Sequence, residues 1–311
     1  MIPTLFIVTV IVFCTARFIP GDVVELMVAQ AGQMGSTAEQ GATMEAMRHK
    51  LGMDVPVHIQ YGRWMWGMLV HGDVGKSLWN DRPVLQTIMQ RLPVSFELGF
   101  LALLVGLVIA LPIGVYSAVR QDTMGDYLGR SFAIACIALP SFWLGTMVIV
   151  FPSVWWNWTP PMQFIPFTQN PIENLKQFIL PAFIMGMVMS GTAMRMMRTM
   201  MLEVLRQDYI RTAWAKGLRE RTVVYRHALQ NALIPVVTVV GLQLPVMISG
   251  SLVMEQIFNL PGVGILEIQA LNSRDYPVVS GINLLMGTVM LLSILATDLT
   301  YGLLDPRIRY E

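Results

Sequence analysis

The chain has 311 residues, of which 54% are hydrophobic and only 13% are charged, and its mean hydropathy is +0.56. A soluble domain carries about 25% charged residues, so this composition argues against a soluble enzyme and predicts a polytopic membrane protein. The formal net charge of +1 gives no reason to expect a nucleic-acid partner. Both cysteines, Cys14 and Cys136, lie in apolar segments, so we expect neither a disulfide framework nor a cysteine-based metal site.

Six apolar segments are each long enough to cross a bilayer as a helix, which takes roughly 20 residues. They cover 2–19, 96–119, 128–156, 178–202, 232–258 and 279–304. The third and fifth segments exceed the length that a bilayer needs, so we expect them to tilt or to extend past the lipid. This pattern predicts an all-α polytopic membrane protein with six transmembrane helices.

The predicted helices divide the chain into four parts. The first helix (1–19) lacks a basic region before its apolar run and a cleavage site after it, so we expect it to remain as an anchor. Residues 20–95 form an extracytoplasmic segment. Residues 96–304 form a five-helix permease core with a cytoplasmic loop at 203–230, and residues 305–311 form a cytoplasmic tail.

Lysine and arginine set the orientation, because they concentrate in cytoplasmic loops. The stretch 195–226 holds eight of them, whereas the loops 157–177 and 259–278 hold one each. Both termini are therefore predicted to be cytoplasmic. Arg195 and Arg198 would each cost about 2.5–3.5 kcal/mol at mid-membrane, so they mark the cytoplasmic end of the fourth span.

The segment 20–95 is interpreted as a small external cap. Its run 71–77, His-Gly-Asp-Val-Gly-Lys-Ser, ends like a phosphate-binding loop, but Val70 stands where that motif requires its first glycine. We therefore expect a tight turn and no nucleotide site. Trp64 and Trp66 precede this turn, and such residues are common at membrane interfaces.

Isolated titratable residues were weighed as possible metal or proton sites. His49, His58 and His71 match no simple ligand spacing, so we expect no metal site. Asp298 lies inside the last predicted span, where a carboxylate can mark a proton path; a structural contact near the cytoplasmic surface is favoured. Glu97 and Glu255 lie near predicted outer ends and are expected to reach water. No nucleophile–base arrangement is present, so no catalytic residue is predicted.

The cytoplasmic loop carries the most specific pattern. Asp208 can cap a helix that begins at Tyr209, and Gly217 can supply a left-handed residue at its end. Such a helix of about eight residues is roughly 12 Å long and too short to be stable alone. It needs a groove, and the apolar side formed by Tyr209, Ala213 and Leu218 would fit one. The alternative is a basic surface helix held by anionic lipid.

These motifs together resemble those of a known family. The runs 208–218, DYIRTAWAKGL, and 226–237, RHALQNALIPVV, resemble the "EAA loop" of ABC importer permeases, specifically of the dipeptide/oligopeptide/nickel branch. The segments 51–57 and 72–77 and the ending 301–310 also resemble that branch. Trp214 and Gln230 depart from its common pattern, which blurs the identity of the ATPase partner and leaves the family assignment in place.

The resemblance implies the type I ABC importer permease fold, with the cap between helices 1 and 2, in the bacterial inner membrane. The implied partners are a homologous second permease that completes a heterodimeric path, two ATP-binding subunits, an extracytoplasmic solute-binding protein and the lipid bilayer. No cofactor is expected on this chain, because ATP and Mg would be bound by the ATPase subunits. Di- or oligopeptides are the expected cargo; nickel or another small solute, and a proton-coupled secondary transporter, are the alternatives.

Two sets of residues are assigned roles by this resemblance. The ATPase-coupling loop comprises Asp208, Tyr209, Arg211, Thr212, Ala213, Lys216, Gly217, Leu218, Arg226 and His227. The expected contact for the solute-binding protein comprises Trp64, Trp66, Gly72, Asp73 and Gly75.

Overall fold

A computed structural model describes residues 2–17, 24–25, 27, 44–46, 48–49, 54–241, 243 and 252–304. Within these residues the chain is helical, and its one β-type pairing is an isolated antiparallel bridge between Lys76 and Pro83. The all-α class predicted from the composition is confirmed.

The described helices follow one another with short connections. They are α1 (Ile2–Arg17), α2 (Val57–His71), α3 (Val84–Val119), α4 (Met124–Ala138), α5 (Ser141–Trp156), α6 (Pro171–Leu205), α7 (Asp208–Ala215), α8 (Glu220–Thr222), a π-helical segment (Val223–Ala228), α9 (Leu229–Gly241), α10 (Leu252–Ile257), α11 (Val263–Asn272) and α12 (Tyr276–Leu304).

Within the described residues, three helices are long and apolar enough to cross a membrane: α3, α6 and the part Tyr276–Ala296 of α12. The pair α4 and α5 counts as a fourth if it forms one span, but the two helices meet at an angle of 91°. α1 adds a shorter apolar stretch, Pro3–Cys14.

The third predicted span, 128–156, is therefore not one continuous helix. It breaks at Leu139, which has extended backbone angles (φ −86°, ψ 122°), and Pro140, which caps α5. The ring of a proline disfavours helical geometry in the residue before it, which explains the break. The fifth predicted span, 232–258, includes 242–251, of which only Gln243 lies within the described residues.

The chain divides into two compact units. Unit 1 consists of Met1–Pro93 and Gly262–Leu291. Its core is formed by buried residues from the start of α3, from α11 and from the start of α12, with Val24: Val24, Val84, Ile88, Val263, Ala270, Tyr276, Val278, Val279 and Ile282. In this unit α2 packs on α1, where the Thr9 and Tyr61 hydroxyls lie 2.8 Å apart and the rings of Phe13 and Tyr61 are 5.4 Å apart.

Unit 2 consists of Val94–Pro261 and Leu292–Glu311. α6 is its central helix and packs against α4, α5 and α9. The contacts are close enough to require glycine: a Cβ atom on Gly186 would lie 2.7 Å from the Ala102 carbonyl oxygen, and one on Gly191 would lie 2.8 Å from the Ala133 carbonyl oxygen. Glycine therefore lets the backbones of α3 and α4 approach α6.

We predict that Gly186→Ile destabilises unit 2, because its side chain must displace the backbone of α3. Overpacking of this kind costs about 1–3 kcal/mol, and the protein in detergent should lose its monodisperse fraction at a lower temperature. Gly62→Ala is the matched control, since no atom lies within 4 Å of the Cβ position at Gly62. Equal thermal stability of Gly186→Ile and the parent protein would contradict the packing described for α6.

Candidate functional site

The short helix α7 begins one residue earlier than the sequence predicts. Gln207 is the N-cap, with extended backbone angles (φ −70°, ψ 150°) and no capping hydrogen bond from its side chain. Asp208 is already inside the first turn, and its side chain is 94% exposed. It accepts a hydrogen bond from Arg211 at 3.2 Å. The prediction that Asp208 caps the helix is therefore wrong, although its charge still suits the helix N-terminus.

The end of α7 has the geometry that the sequence predicts. Gly217 has φ +75°, its N–H donates to the Trp214 carbonyl at 2.9 Å, and the Leu218 N–H donates to the Ala213 carbonyl at 3.4 Å. These two bonds form a Schellman motif, which terminates a helix on a left-handed residue. No atom lies within 4 Å of a Cβ built on Gly217, so the requirement for glycine is conformational and not one of space.

α7 lies on its own subunit through one narrow face. Ile210 and Ala213 are buried in a cluster with Met197 and Met201 of α6 and Val223 of the π-helical segment. These two residues are three positions apart and share a face of the helix. Ala213 was expected on the partner side with Tyr209 and Leu218, and this is wrong because the subunit itself covers it.

The outward side of α7 carries Arg211, Thr212 and Ala215, all exposed. Tyr209 and Trp214, each 45% exposed, flank this side. Lys216 and Leu218 follow at the exposed end. The helix thus offers a small polar centre between two aromatic edges, on a length of about 12 Å.

A polar contact ties α7 to the helix that follows. The Asn231 side-chain amide donates to the Tyr209 hydroxyl at 2.9 Å and to the His227 carbonyl at 3.0 Å. The Tyr209 hydroxyl also donates to that carbonyl at 3.4 Å. His227 thus contributes its main chain here, while Arg226 is exposed. Both lie in the π-helical segment Val223–Ala228, a geometry that recurs at functional sites.

A buried ion pair lies between the helices that support α7. Asp126 is fully buried and accepts two hydrogen bonds from Arg198, from Nε at 2.8 Å and from Nη2 at 2.7 Å. The Ser117 hydroxyl and the Asp122 backbone N–H, the latter at 3.1 Å, donate to the same carboxylate. The cluster joins the end of α3, the start of α4 and the last third of α6, from which the chain continues into α7.

Sequence reasoning missed this cluster. It placed Arg198 at the end of a span but gave it no partner. The available signal was Asp126, an acidic residue at the start of an apolar stretch, on the same side of the membrane as Arg198 by the predicted topology. Ile210 and Asn231 were also missed, because nothing in their local sequence distinguishes an inward contact from an outward one.

In unit 1, the turn at 72–77 is tight, as predicted. Gly72 has φ +65° and ends α2, and the Asp73 carboxylate accepts a hydrogen bond from the Gly75 N–H at 2.9 Å. Asp73 and Trp66 are exposed. Trp64, however, is half-buried and donates to the Val74 carbonyl at 3.1 Å. Trp64 therefore does not belong to an exposed outer surface, because its polar edge already has a partner in the turn.

Asp275 fixes the far side of this turn. It is 5% exposed and accepts hydrogen bonds from the Ser77 hydroxyl at 2.5 Å and the Leu78 N–H at 3.1 Å. Burial raises the pKa of Asp275, and these hydrogen bonds offset part of the rise. The sequence gave no reason to pair residues so far apart in the chain.

The remaining titratable residues show one further correction. Glu255 was expected to reach water, but it is fully buried and accepts a hydrogen bond from the Ser95 hydroxyl at 2.6 Å. Asp298 lies in α12, and its side chain is outside the described residues. Among the residues that the structure describes, no group of three or more His, Cys, Asp or Glu side chains could hold a metal ion.

Two family models match the chain. Residues 110–310 match the family described as binding-protein-dependent transport system inner membrane component, and residues 1–99 match the N-terminal part of that component. The chain is 39% identical over 334 residues to the dipeptide transport system permease protein DppB of Escherichia coli, covering 100% of this chain and 96% of that protein. It is 36% identical over 331 residues to the di/tripeptide transport system permease protein DppB of Pseudomonas aeruginosa, with the same coverage.

The fold is also found in a solved transporter. A structure of inward-facing conformations of the MetNI methionine ABC transporter contains a chain that matches with a TM-score of 0.55. The match covers 71% of this chain and 97% of that chain, at 17% identity. The architecture is therefore that of an ABC transporter permease.

We predict that Asp126→Ala destabilises the protein strongly. It leaves the Arg198 charge without its partner, and removing one member of a buried pair costs about 3–5 kcal/mol. Thermal unfolding in detergent measures the loss, and Asp126→Asn should lose less because it keeps one acceptor oxygen.

The matched control is Asp208→Ala, which breaks the exposed pair with Arg211. Exposed pairs contribute little, so its thermal midpoint should stay at that of the parent protein. Equal effects of Asp126→Ala and Asp208→Ala would show that the cluster does not hold the three helices together.

Proposed function

Because the chain belongs to the family of binding-protein-dependent transport system inner membrane components, we propose that it is one permease subunit of an ATP-driven importer of di- or oligopeptides. The observation that carries the proposal is α7, a short exposed helix with a fixed end in a chain of this family. Peptide cargo is supported by the names of two relatives that match the full length of the chain.

The membrane position follows from the charged residues of unit 2. In α3, no Asp, Glu, Lys or Arg occurs in 98–119, and in α6 none occurs in 177–194. These stretches span about 33 Å and 27 Å, close to the hydrocarbon thickness of about 30 Å. Arg120, Arg195 and Arg198 stand at the same end of both stretches. The excess of arginine there supports a cytoplasmic position for that end and for α7.

In this arrangement α7 transmits movement between an ATP-binding subunit and the spans. Its outward side enters a groove of the ATPase, and its inward side, Ile210 and Ala213, is packed against α6. A displacement of α7 would therefore move α6 with it. ATP and Mg are bound by the two ATPase subunits, and this chain contributes binding and movement and no hydrolytic chemistry.

Three further assignments complete the proposal. A homologous second permease forms the other half of the path, both termini of this chain are cytoplasmic, and a solute-binding protein docks outside. For that docking we propose the exposed residues Trp66, Gly72 and Asp73, with Gly75 shaping the turn.

Cargo is tested by competition. A complex of this chain with its partners in proteoliposomes should take up a labelled dipeptide only with ATP and the binding protein present, and unlabelled dipeptides should compete. Competition by Ni²⁺ and none by peptides would instead favour the metal-importing members of the branch.

We predict that Gly217→Val abolishes transport while the chain still inserts. A β-branched residue at φ +75° costs on the order of 1–3 kcal/mol of backbone strain, so the end of α7 should fray or tilt. The complex should lose its ATPase subunits on purification or hydrolyse ATP without uptake. Both are measured on the same preparation.

Gly217→Asn is the matched control, because asparagine tolerates the left-handed region. It should keep most of the uptake. Full uptake by Gly217→Val, with the normal amount of ATPase bound, would remove α7 from the coupling mechanism and leave a lipid-bound surface helix as the better account.

For the cap, we predict that Asp73→Lys reduces the stimulation of ATPase activity by the binding protein severalfold and leaves basal activity unchanged. Asp73→Asn separates charge from turn geometry, since it can still accept the hydrogen bond from Gly75. If both variants keep normal stimulation, the turn has only a structural role.

A further inference from the structure

A groove lies beside the coupling helix, between the end of α3 and the residues that follow α7. Its cavity volume is about 720 Å³. Its floor is apolar and is formed by Pro112, Val115, Val119 and Val224. Its rim is polar and is formed by Tyr116, Arg120, Arg219, Glu220, Arg221 and Tyr225. The mechanism proposed above uses none of these residues.

The groove is amphipathic along the direction of α3. Val119 and the other floor residues of α3 belong to the uncharged stretch 98–119, so they lie at the depth of the acyl chains. Arg120 is the first charged residue after that stretch and lies at the depth of the headgroups. Tyr116, 54% exposed, lies one turn before it, where tyrosine is common in membrane proteins.

The charge of the rim selects an anion. Three arginines line the groove and one glutamate opposes them. Glu220 is held by Arg120 at 3.5 Å, across the opening between α3 and α8. Arg219 and Arg221 are both exposed on either side of Glu220, so the net charge of the rim is positive.

We propose that this groove binds an acidic phospholipid of the cytoplasmic leaflet, with the phosphate at Arg219 and Arg221 and part of an acyl chain on the apolar floor. A soluble anion would leave that floor wet, and an acidic side chain of a partner protein could not fill it. The inference rests on the membrane position given under the proposed function, but not on the cargo or on ATP. Bound lipid would brace the segment that connects α7 to α9.

Native mass spectrometry of the full chain with its partners, released from detergent, tests the proposal. The probes are phosphatidylglycerol and phosphatidylcholine with identical acyl chains, and glycerol phosphate as the free anion. Phosphatidylglycerol should bind at least tenfold more tightly than phosphatidylcholine. Arg219→Ala/Arg221→Ala should weaken its binding about fivefold per arginine, the factor that corresponds to about 1 kcal/mol each.

The matched control is Arg195→Ala/Arg206→Ala, which removes the same charge from exposed positions outside the groove and should bind phosphatidylglycerol normally. Val119→Trp, which fills the groove without changing charge, should also reduce binding. Equal loss in the two double variants would overturn the site in favour of a general charge effect. Glycerol phosphate binding as tightly as phosphatidylglycerol would overturn the lipid assignment.

ATPase content, measured on the same samples, distinguishes a partner from a lipid. Loss of ATPase subunits from Arg219→Ala/Arg221→Ala with unchanged phosphatidylglycerol binding would overturn the proposal and assign the groove to the ATPase. Because lipid binding is measured without ATP or cargo, a failure of the peptide-import proposal would leave this result unaffected.

Discussion

The buried pair between Asp126 and Arg198 is the constraint on which the arrangement around α7 depends. An arginine near the end of a membrane helix must either reach water or find a partner, and Arg198 finds one that also accepts hydrogen bonds from Ser117 and Asp122. Three helices are thereby fixed to one another at one level. Because both charges are desolvated, the pair is a weak source of net stability but a costly one to break. It gives the end of α6 a defined position, and α7 inherits that position through a connection of only two residues, Arg206 and Gln207.

Two further features turn this fixed base into a docking element. The Schellman motif at Gly217 limits α7 to little more than two turns, and the buried residues Ile210 and Ala213 hold it against α6. A helix of this length would not persist in water by itself. The subunit stabilises one face, and the opposite face is left for a partner. The geometry therefore suits a lever that is ordered before the partner binds, which lowers the entropic cost of association.

Much of the fold was predictable from the sequence, since long uncharged stretches such as 98–119 predict membrane helices by length alone. The bend of 91° between α4 and α5 was not predicted, because hydropathy reports burial in lipid and Pro140 alone does not say whether a helix kinks or breaks. In the site, Gly217 was predictable because a left-handed helix end favours glycine. The burial of Ala213 and the pairing of Asp126 were not, because both depend on which helices pack together. Contacts of that kind are set by tertiary structure and leave no local signal.

The central claim is that the outward side of α7 contacts an ATP-binding subunit, and site-specific photo-crosslinking tests it most directly. A benzophenone amino acid at Thr212, on the outward side, should crosslink to the ATPase subunit in membranes. The same residue at Thr199, which is exposed on α6 away from α7, should not. Crosslinks from Thr212 to lipid alone, or equal crosslinks to the ATPase from both positions, would contradict the account.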